Sequence, residues 1–395
     1  MSEILNWLLL SLLALALIPT LLLAAQVIIA NFPRRATQLN DVASPRVAVI
    51  VPAHNESAGI RVALDSVMPQ LMPGDRLVVV ADNCSDDTAQ VAAAAGAEVV
   101  ERHDTSRRGK GCALDFGVRY LELDAPEEVV IVDADCEVMP GTIERIARLS
   151  SFSGRPVQAV YLMKSPQSAS GMAPLREFAW TVKNLVRPLG FHKLHLPCQL
   201  MGSGMAFPWA VISKASLATG HIVEDLKLGL ELTRAGTAPL FCPEALVTSV
   251  FPENAVGLRT QQTRWEHGHV GMVIGEAPGY FVDAIKRMDL SLLALTLDMC
   301  VPPLALLTLA AMGLGVAALT FFIFSANAGP LLIAVALLTV LAATVFVAWV
   351  RFGMQIVPLR LLLYAPFYAL GKIPLYVGFL IKRQVEWVRS KRDTP

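Results

Sequence analysis

Long apolar stretches at the two ends of the chain stand out in its pattern of hydrophobic and polar residues. Residues 4–33 include no charged residue, and at about 1.5 Å per residue a helix of this length crosses a hydrocarbon core of roughly 30 Å. A cleaved signal peptide is the alternative, but it begins with basic residues, whereas only Glu3 precedes this stretch. We therefore predict a retained membrane anchor over residues 1–33, with the N-terminus outside and Arg34 and Arg35 in the cytoplasm.

The C-terminal quarter contains two further apolar stretches that suit membrane-spanning helices, residues 301–325 and 330–350. Asn327 and Gly329 lie between them and favour a turn. Residues 290–300 are also apolar but include Asp298, so we expect this stretch at the membrane interface before the first of the two spans.

Residues 357–381 are long enough to span a membrane, but charged residues and prolines interrupt them. These interruptions are Pro358, Arg360, Pro366, Lys372 and Pro374. The basic tail 382–395 is expected in the cytoplasm, which requires an even number of crossings after Arg35. The pattern therefore predicts two clear spans plus an interfacial or re-entrant third segment in a C-terminal membrane region over residues 289–395.

The intervening residues 34–288, predicted to form a cytoplasmic domain, alternate short apolar runs with helix-like stretches. The runs are rich in β-branched residues and typical of buried parallel strands: residues 46–52, 77–81, 129–132 and, more weakly, 98–101. The helix-like stretches are residues 58–68, 86–95 and 110–121. This alternation predicts an α/β fold with a doubly wound, Rossmann-like sheet, in which ligands bind beyond the carboxyl ends of the strands.

The composition supports a membrane protein and excludes several classes. Hydrophobic residues make up 54% of the 395 residues and charged residues 17%, against about 25% charged residues in an average soluble chain. The formal net charge of zero provides no broad basic surface for nucleic acid. The six cysteines include no CxxC pair, which argues against a zinc cage or a disulfide framework and favours a reducing compartment.

Polar residues directly follow each clear strand, at residues 52–56, 82–87 and 133–135. Each cluster alone is explained by turns and helix N-caps, which favour Asn, Asp and Ser. Three clusters with acidic residues at one sheet edge require a cation or a ligand rich in hydrogen-bond donors, because like charges repel. The pattern therefore predicts a binding site at that edge.

Asp133 and Asp135 lie two residues apart just after an apolar strand. Side chains at this spacing point the same way in extended backbone, so both carboxylates can face one ion. Mg²⁺ and Mn²⁺ prefer such oxygen ligands and bridge to substrate phosphates; a simple turn is the alternative.

Lys110 lies between Gly109 and Gly111. This arrangement favours phosphate binding, because glycines allow the backbone to approach a phosphate closely and Lys supplies a positive charge. A solvated loop without a binding function is the alternative.

Several short segments, taken in order, resemble the motifs of the family 2 glycosyltransferases, which have a GT-A fold. The segments are VPAHNES (51–57), ADNCSDDT (81–88), RRGKG (107–111), VDAD (132–135), MGSGMAF (201–207), VED (223–225) and QQTRW (261–265). The resemblance runs from about Arg46 to His269. The Q-x-x-R-W element resembles that of the membrane-bound branch, which includes polysaccharide synthases and ceramide glucosyltransferases.

The resemblance implies an inverting sugar transfer from a nucleotide-sugar that depends on Mg²⁺ or Mn²⁺. It implies donor-binding roles for Pro52, Ala53, His54, Glu56, Asp82, Lys110, Asp133 and Arg264. Asp133 and Asp135 would hold the metal, with Asp135 the more direct ligand.

The same resemblance implies that Asp225 is the catalytic base, with Glu224 beside it in the catalytic group. Acceptor-binding roles are implied for Gly202, Ser203, Gly204, Gln261 and Trp265. The acceptor would be lipid-linked or a glycan.

Local alternatives accompany several of these assignments. Residues 224–225 suit the first turn of a helix, where the macrodipole favours acids, and residues 202–204 suit a plain turn. Residues 261–265 suit an amphipathic helix at the membrane surface. Residues 172–200 mix aromatic and basic side chains, which is typical of a membrane-contacting helix or of a lid over the acceptor. His267 and His269 lack a third ligand, which favours polar contacts over zinc.

The resemblance implies a multi-pass protein of the inner membrane that acts at its cytoplasmic face, in exopolysaccharide or other envelope glycan synthesis. UDP-sugars are the commonest donors of the family, and other envelope glycan assembly proteins are expected partners. A processive polysaccharide synthase, like those for cellulose, hyaluronan or poly-N-acetylglucosamine, is the alternative, but it needs a channel that few spans can supply. A transporter with a nucleotide-sensing domain is more remote, because the predicted spans contain neither charge relays nor repeated halves.

Overall fold

A computed structural model describes residues 2–33, 38–39, 42–166, 168 and 171–381. Arg34, Arg35 and the basic tail 382–395, on which the predicted orientation depends, lie outside the described residues. The strands are β1 (Val47–Ala53), β2 (Arg76–Asp82), β3 (Glu98–Arg102), β4 (Glu128–Ile131), β5 (Glu137–Val138), β6 (Val157–Lys164), β7 (Met205–Pro208) and β8 (Leu240–Val250).

The α-helices of the described residues alternate with these strands and continue beyond them. They are α1 (Ser2–Ala30), α2 (Ile60–Val67), α3 (Thr88–Ala94), α4 (Lys110–Leu121), α5 (Thr142–Ser153), α6 (Ala173–Thr181), α7 (Arg187–Lys193), α8 (Trp209–Ile212), α9 (Glu224–Arg234), α10 (Ala255–Gly275), α11 (Ala277–Arg287), α12 (Leu290–Met299), α13 (Leu304–Ser325), α14 (Gly329–Ala348), α15 (Leu359–Leu362), α16 (Ala365–Leu370) and α17 (Ile373–Ile381). A π-helical turn, Val182–Val186, joins α6 to α7, and another, Trp349–Gly353, extends α14.

The eight strands form one mixed sheet in the order β3-β2-β1-β4-β7-β6-β8-β5. The first four strands are parallel and correspond to the four predicted runs. The strands β5 and β7 run antiparallel to their neighbours, so the sheet is mixed where the sequence predicted only parallel strands. The predicted α/β fold is confirmed, with this extension of the sheet.

Helices cover both faces of the sheet because the central strands are apolar on both faces. Along β1, Val49 and Val51 belong to one core, while Ala48 and Ile50 belong to the core on the opposite face. Burial of a Val or Ile side chain contributes roughly 1.5–3 kcal/mol, so both layers are strongly held. This arrangement fixes the carboxyl ends of β1 and β4, where the predicted site residues follow.

Three helical segments among the described residues are long and apolar enough to cross a membrane: Glu3–Ala30, Leu304–Ser325 and Gly329–Gly353. They match the predicted anchor and the two predicted C-terminal spans. The predicted third segment contains a shorter apolar stretch, Ala365–Ile381. In this stretch α16 packs against α13 and α17 packs beside α10, and Lys372 between them is ion-paired with Glu266 of α10. The position of this stretch in the membrane and the boundaries 1–33, 34–288 and 289–395 remain predictions.

Asp298 lies in α12 and is buried among protein side chains. Its carboxylate accepts hydrogen bonds from Gln26 Nε2 at 2.6 Å and from an Nη of Arg187 at 2.8 Å. Gly190 allows α7 to approach α1 closely, because a Cβ there would lie 2.3 Å from the Gln26 carbonyl oxygen. A buried carboxylate is tolerated when it is paired in this way, so Asp298 joins the N-terminal helix to the elements around the site.

Candidate active site

A cavity of about 220 Å³ opens beyond the carboxyl ends of β1 and β4 and contains most of the predicted site residues. Its lining includes His54, Glu56, Lys110, Asp133, Asp135, Gly202, Glu224, Asp225, Gln261, Arg264 and Trp265. Pro52, Ala53, Asp82, Ser203 and Gly204 are not among the lining residues. Residues separated by more than 200 positions in the chain therefore meet at the predicted sheet edge.

Asp133 and Asp135 follow β4, and their carboxylates form a compact group of oxygen atoms. Ligand atoms of these two residues and of Cys136 lie within 4.8 Å of one another. Ser249 Oγ on β8 donates to Asp135 Oδ2 at 3.0 Å, and the Asp133 backbone N–H donates to Ser203 Oγ at 3.0 Å. These hydrogen bonds hold the acidic pair in place, as second-layer partners of metal ligands commonly do.

Lys110 begins α4 and is the central cation of the acidic group. Its Nζ is ion-paired with Asp133 and donates to the Gly202 carbonyl oxygen at 2.5 Å. Burial disfavours its charge, but the carboxylates of Asp133, Glu224 and Asp225 outweigh this effect and raise the pKa of Lys110 above its usual value. Lys110 therefore stays protonated and offers a fixed positive charge.

Glu224 and Asp225 form the first turn of α9, as the helix interpretation predicted, and they also line the cavity. Asp225 Oδ1 accepts a hydrogen bond from the Leu226 backbone N–H at 2.8 Å. Burial, and then the charge of Asp225, raise the pKa of Glu224 to about 7. The helical and the catalytic interpretations of these two residues are thus compatible.

Gly202 lies where the acidic side chains and Lys110 converge. Its φ is +96°, and a Cβ at this position would lie 3.2 Å from Asp225 Oδ2 and 3.4 Å from Lys110 Nζ. A residue with a side chain would be strained in this backbone conformation and would occupy space between the two groups. Gly202 therefore forms a floor of bare backbone beneath the cavity.

Three predicted residues, Gln261, Arg264 and Trp265, reach the cavity from α10. Arg264 Nε and Gln261 Oε1 are buried and make no hydrogen bond to a described residue. The Trp265 ring lies 4.7 Å from the ring of Trp180, centroid to centroid. Because unsatisfied buried polar atoms are costly, Arg264 is suited to a ligand with anionic oxygen atoms.

The remaining predicted residues lie behind the cavity wall. The Asp82 carboxylate is ion-paired with Arg102 at 2.6 Å, while its backbone oxygen bonds His54 Nδ1 at 2.6 Å. Ser203 is fully buried, and a Cβ on Gly204 would lie 2.7 Å from Val247 Cγ2. Pro52 and Ala53 are part of β1. Two of these residues contact residues of the cavity: Asp82 bonds His54 through its backbone oxygen, and Ser203 accepts from the Asp133 backbone N–H.

Two residues outside the predicted catalytic, donor, acceptor and metal sets also contribute to the site. Ser249 orients Asp135 from β8, and Trp180 on α6 stacks beside Trp265. A serine late in the chain carries no local signal for such a contact. Trp180 lies in the aromatic and basic segment 172–200, and the structure places α6, the π-helical turn and α7 of this segment along the cavity.

Comparison with known proteins identifies the family. Residues 45–268, more than half of the chain, match the model described as "Glycosyltransferase like family 2". The chain therefore belongs to glycosyltransferase family 2, and the predicted family is confirmed.

Two curated bacterial relatives are similar over about two thirds of this chain. "Probable glycosyltransferase YdaM" of Bacillus subtilis (strain 168) is 25% identical over 283 residues, which cover 65% of this chain and 63% of the relative. Poly-beta-1,6-N-acetyl-D-glucosamine synthase of Staphylococcus epidermidis is 23% identical over 273 residues, covering 64% and 60%. The matches thus span less than two thirds of either relative's length.

A solved structure with a similar fold is the mannosyltransferase PcManGT from Pyrobaculum calidifontis, determined in complex with GDP-Man and Mn²⁺. It is 18% identical, with a TM-score of 0.59 and coverage of 97% of this chain and all of that chain. The similarity confirms the predicted GT-A fold.

Proposed function

We propose that this chain transfers a sugar, with inversion, from a nucleotide-sugar to a lipid-linked or glycan acceptor at the cytoplasmic face of the inner membrane. The observation that carries the proposal is the convergence of Asp133, Asp135, Lys110 and Asp225 on one cavity. The donor is proposed to be a UDP-sugar, as in most of the family. The biological role would be in exopolysaccharide or other envelope glycan synthesis.

The residues present fit a divalent cation at Asp133 and Asp135. Both offer hard carboxylate oxygens, and Ser203 and Ser249 orient them. Burial raises the pKa of Asp133 above its usual value in spite of the Lys110 charge beside it, so the two carboxylates favour a further positive charge. When bound, Mg²⁺ or Mn²⁺ neutralises charge on the donor diphosphate.

The protein's own residues would divide the remaining work. Lys110 and Arg264 would bind oxygens of the diphosphate, Arg264 through its Nε, which has no hydrogen-bond partner among the described residues. Asp225 would take the proton of the acceptor hydroxyl while the acceptor oxygen bonds to the anomeric carbon. The bond between that carbon and the phosphate oxygen breaks, and its electron pair leaves with the nucleoside diphosphate. Trp265 and Trp180 would exclude water and contact the acceptor sugar.

A processive synthase is the second candidate, favoured by the similarity to poly-beta-1,6-N-acetyl-D-glucosamine synthase. We prefer a single transfer, because the described residues contain only three helices long enough to cross a membrane. Three helices offer little material for a polymer channel in one chain. Family membership leaves the transporter hypothesis without support.

Donor binding tests this assignment before any acceptor is known. We expect the purified protein to bind one member of a UDP- and GDP-sugar panel in the presence of Mn²⁺. Arg264→Gln should weaken that binding by about 10- to 100-fold, because a charge-assisted hydrogen bond contributes roughly 1.5–3 kcal/mol. Isothermal titration calorimetry measures the donor affinity of the unchanged protein and of the variant.

The matched control is Arg259→Gln, which removes the same charge from an exposed position of the same helix. Its donor affinity should equal that of the unchanged protein. If Arg264→Gln binds the donor as tightly as Arg259→Gln does, Arg264 does not bind the diphosphate.

A further inference from the structure

A second cavity, of about 110 Å³, lies beside the active site on the side of the apolar helices. We call it the interfacial cavity, and its lining includes Leu23 of α1, Arg176, Lys183, Arg187, Leu304 of α13 and Lys372. Lys183 and Trp265 line both cavities. The interfacial cavity thus connects the active site with two helices that are long enough to cross a membrane.

The polar lining of the interfacial cavity is dominated by cations. Arg176, Lys183 and Arg187 come from one helical segment at spacings of seven and four residues, which place them on one face. The π-helical turn Val182–Val186 lies within this segment, and such turns are frequent at functional sites. Glu266 is the one carboxylate among the lining residues.

Two of the four cations form no direct ion pair among the described residues, although the carboxylates of Asp225, Asp298 and Glu266 lie near enough to favour the charge of Lys183. Lys372 is ion-paired with Glu266, and Arg187 with Asp298. Arg176 and Lys183 form no ion pair with any residue in the described part of the chain; Arg176 lies over the Phe251 ring and Lys183 over the Trp180 ring. A positive charge enclosed by protein is costly without an anion beside it.

Unsatisfied hydrogen-bond donors also favour an anionic ligand in the interfacial cavity. Arg187 is only 6% exposed, and its Nε is buried with no hydrogen-bond partner in the described structure. The Arg176 Nε is unpartnered in the same way. The N-terminus of α13 also borders the cavity, and the free N–H groups of a first helical turn favour anions.

The other walls of the interfacial cavity are apolar and come from elements next to the membrane helices. They include Leu23, Val182, Val301 and Ala305. A long hydrocarbon chain matches these aliphatic walls better than a nucleobase does. A molecule with an anionic head and a long hydrocarbon tail matches both kinds of lining.

We propose that the interfacial cavity binds the phosphate head group of the acceptor lipid, with Arg176 and Lys183 as its main charge partners. This inference rests on the proposed glycosyltransferase function and specifies its acceptor as a lipid phosphate. The head group then lies next to the active site, because Lys183 and Trp265 line both cavities. Two lipids share this chemistry. A lipid diphosphate that carries a sugar supplies an acceptor hydroxyl for Asp225, whereas in a lipid monophosphate a phosphate oxygen would itself be the acceptor.

The test is equilibrium binding of labelled polyprenyl lipids to the purified full-length protein in detergent. The probes are a polyprenyl monophosphate, a polyprenyl diphosphate-sugar and the uncharged polyprenol of equal length. We expect at least one phosphorylated lipid to bind at least about tenfold more tightly than the polyprenol, the gain typical of a charge-assisted hydrogen bond. The tighter of the two phosphorylated lipids identifies the head group that the interfacial cavity prefers.

Variants of the cavity cations locate the binding. The double variant Arg176→Gln/Lys183→Gln should lose at least about tenfold in affinity for the phosphorylated lipid and none for the polyprenol. The control Lys286→Gln changes an exposed cation of α11 outside the cavity and should leave both affinities unchanged. Retained binding of the nucleotide-sugar shows that the double variant is folded.

Equal affinities for polyprenol and for the phosphorylated lipids would overturn the inference. So would a double variant that binds the phosphorylated lipids as tightly as the unchanged protein does. In either case, intact nucleotide-sugar binding would leave the proposed function standing. If the unchanged protein bound no nucleotide-sugar, the proposed function itself would be contradicted. The failure of the inference and the failure of the proposed function are therefore distinguishable.

Discussion

Asp225→Asn is expected to reduce the turnover number for sugar transfer by about 10²- to 10⁴-fold, the usual contribution of a general base. Asparagine keeps the shape of the side chain at the start of α9 but cannot accept the proton of the acceptor hydroxyl. Because Asp225 is not proposed to bind the donor, the dissociation constant for the nucleotide-sugar should be unchanged. Steady-state kinetics and calorimetry on the same preparation measure both quantities.

Asp65→Asn is the matched control, because Asp65 is exposed on α2 and pairs with Arg61 alone among the described residues. Its turnover should match that of the unchanged protein. Transfer by Asp225→Asn at the rate of this control would show that another group takes the proton.

The second large effect is expected from Asp135→Asn, which removes one of the two proposed carboxylate ligands of the metal. Mn²⁺ binding should weaken strongly, and sugar transfer should fall with it. Chelation with EDTA should abolish transfer by the unchanged protein, and added Mn²⁺ should restore it.

Ser249→Ala should produce an intermediate loss of metal affinity of about 10- to 100-fold, because this serine orients Asp135.

Titration of Mn²⁺, followed by electron paramagnetic resonance of the free ion, reports this binding without an activity measurement. Glu137→Gln is the control, since Glu137 is exposed two residues further along the chain. If Asp135→Asn and Glu137→Gln bind Mn²⁺ with equal affinity, the metal site lies elsewhere.

The parallel half of the fold could be predicted because its signals are local. The runs that form β1, β2 and β4 are apolar and β-branched, and the helix Lys110–Leu121 appears with the predicted bounds. The strands β5 and β7 have two and four residues, too few to show a periodic pattern. The strand β6 has a longer apolar run, but its place between β7 and β8 depends on pairings that a local pattern does not contain.

The candidate site shows the same division between local and long-range information. The carboxylates after β4 and in the first turn of α9 follow from motif and position. The hydrogen bond of Ser249 to Asp135 spans 114 positions of the chain, and that of Gln26 to Asp298 spans 272. The interfacial position of residues 290–300 stays a prediction, whereas the buried pairing of Asp298 with Gln26 and Arg187 could not be predicted because these partners lie far away in the chain.

The most direct test of the proposed function is a labelled-sugar partition assay. Membranes that contain the protein receive radiolabelled UDP- and GDP-sugars with Mn²⁺, and the products are extracted with organic solvent. We predict that label from one donor enters the organic phase as a small lipid-linked product, and that it does not do so with Asp225→Asn. Label that accumulates in a large aqueous polymer would contradict single transfer and make the chain a processive synthase. No transfer from any donor would contradict the proposed function.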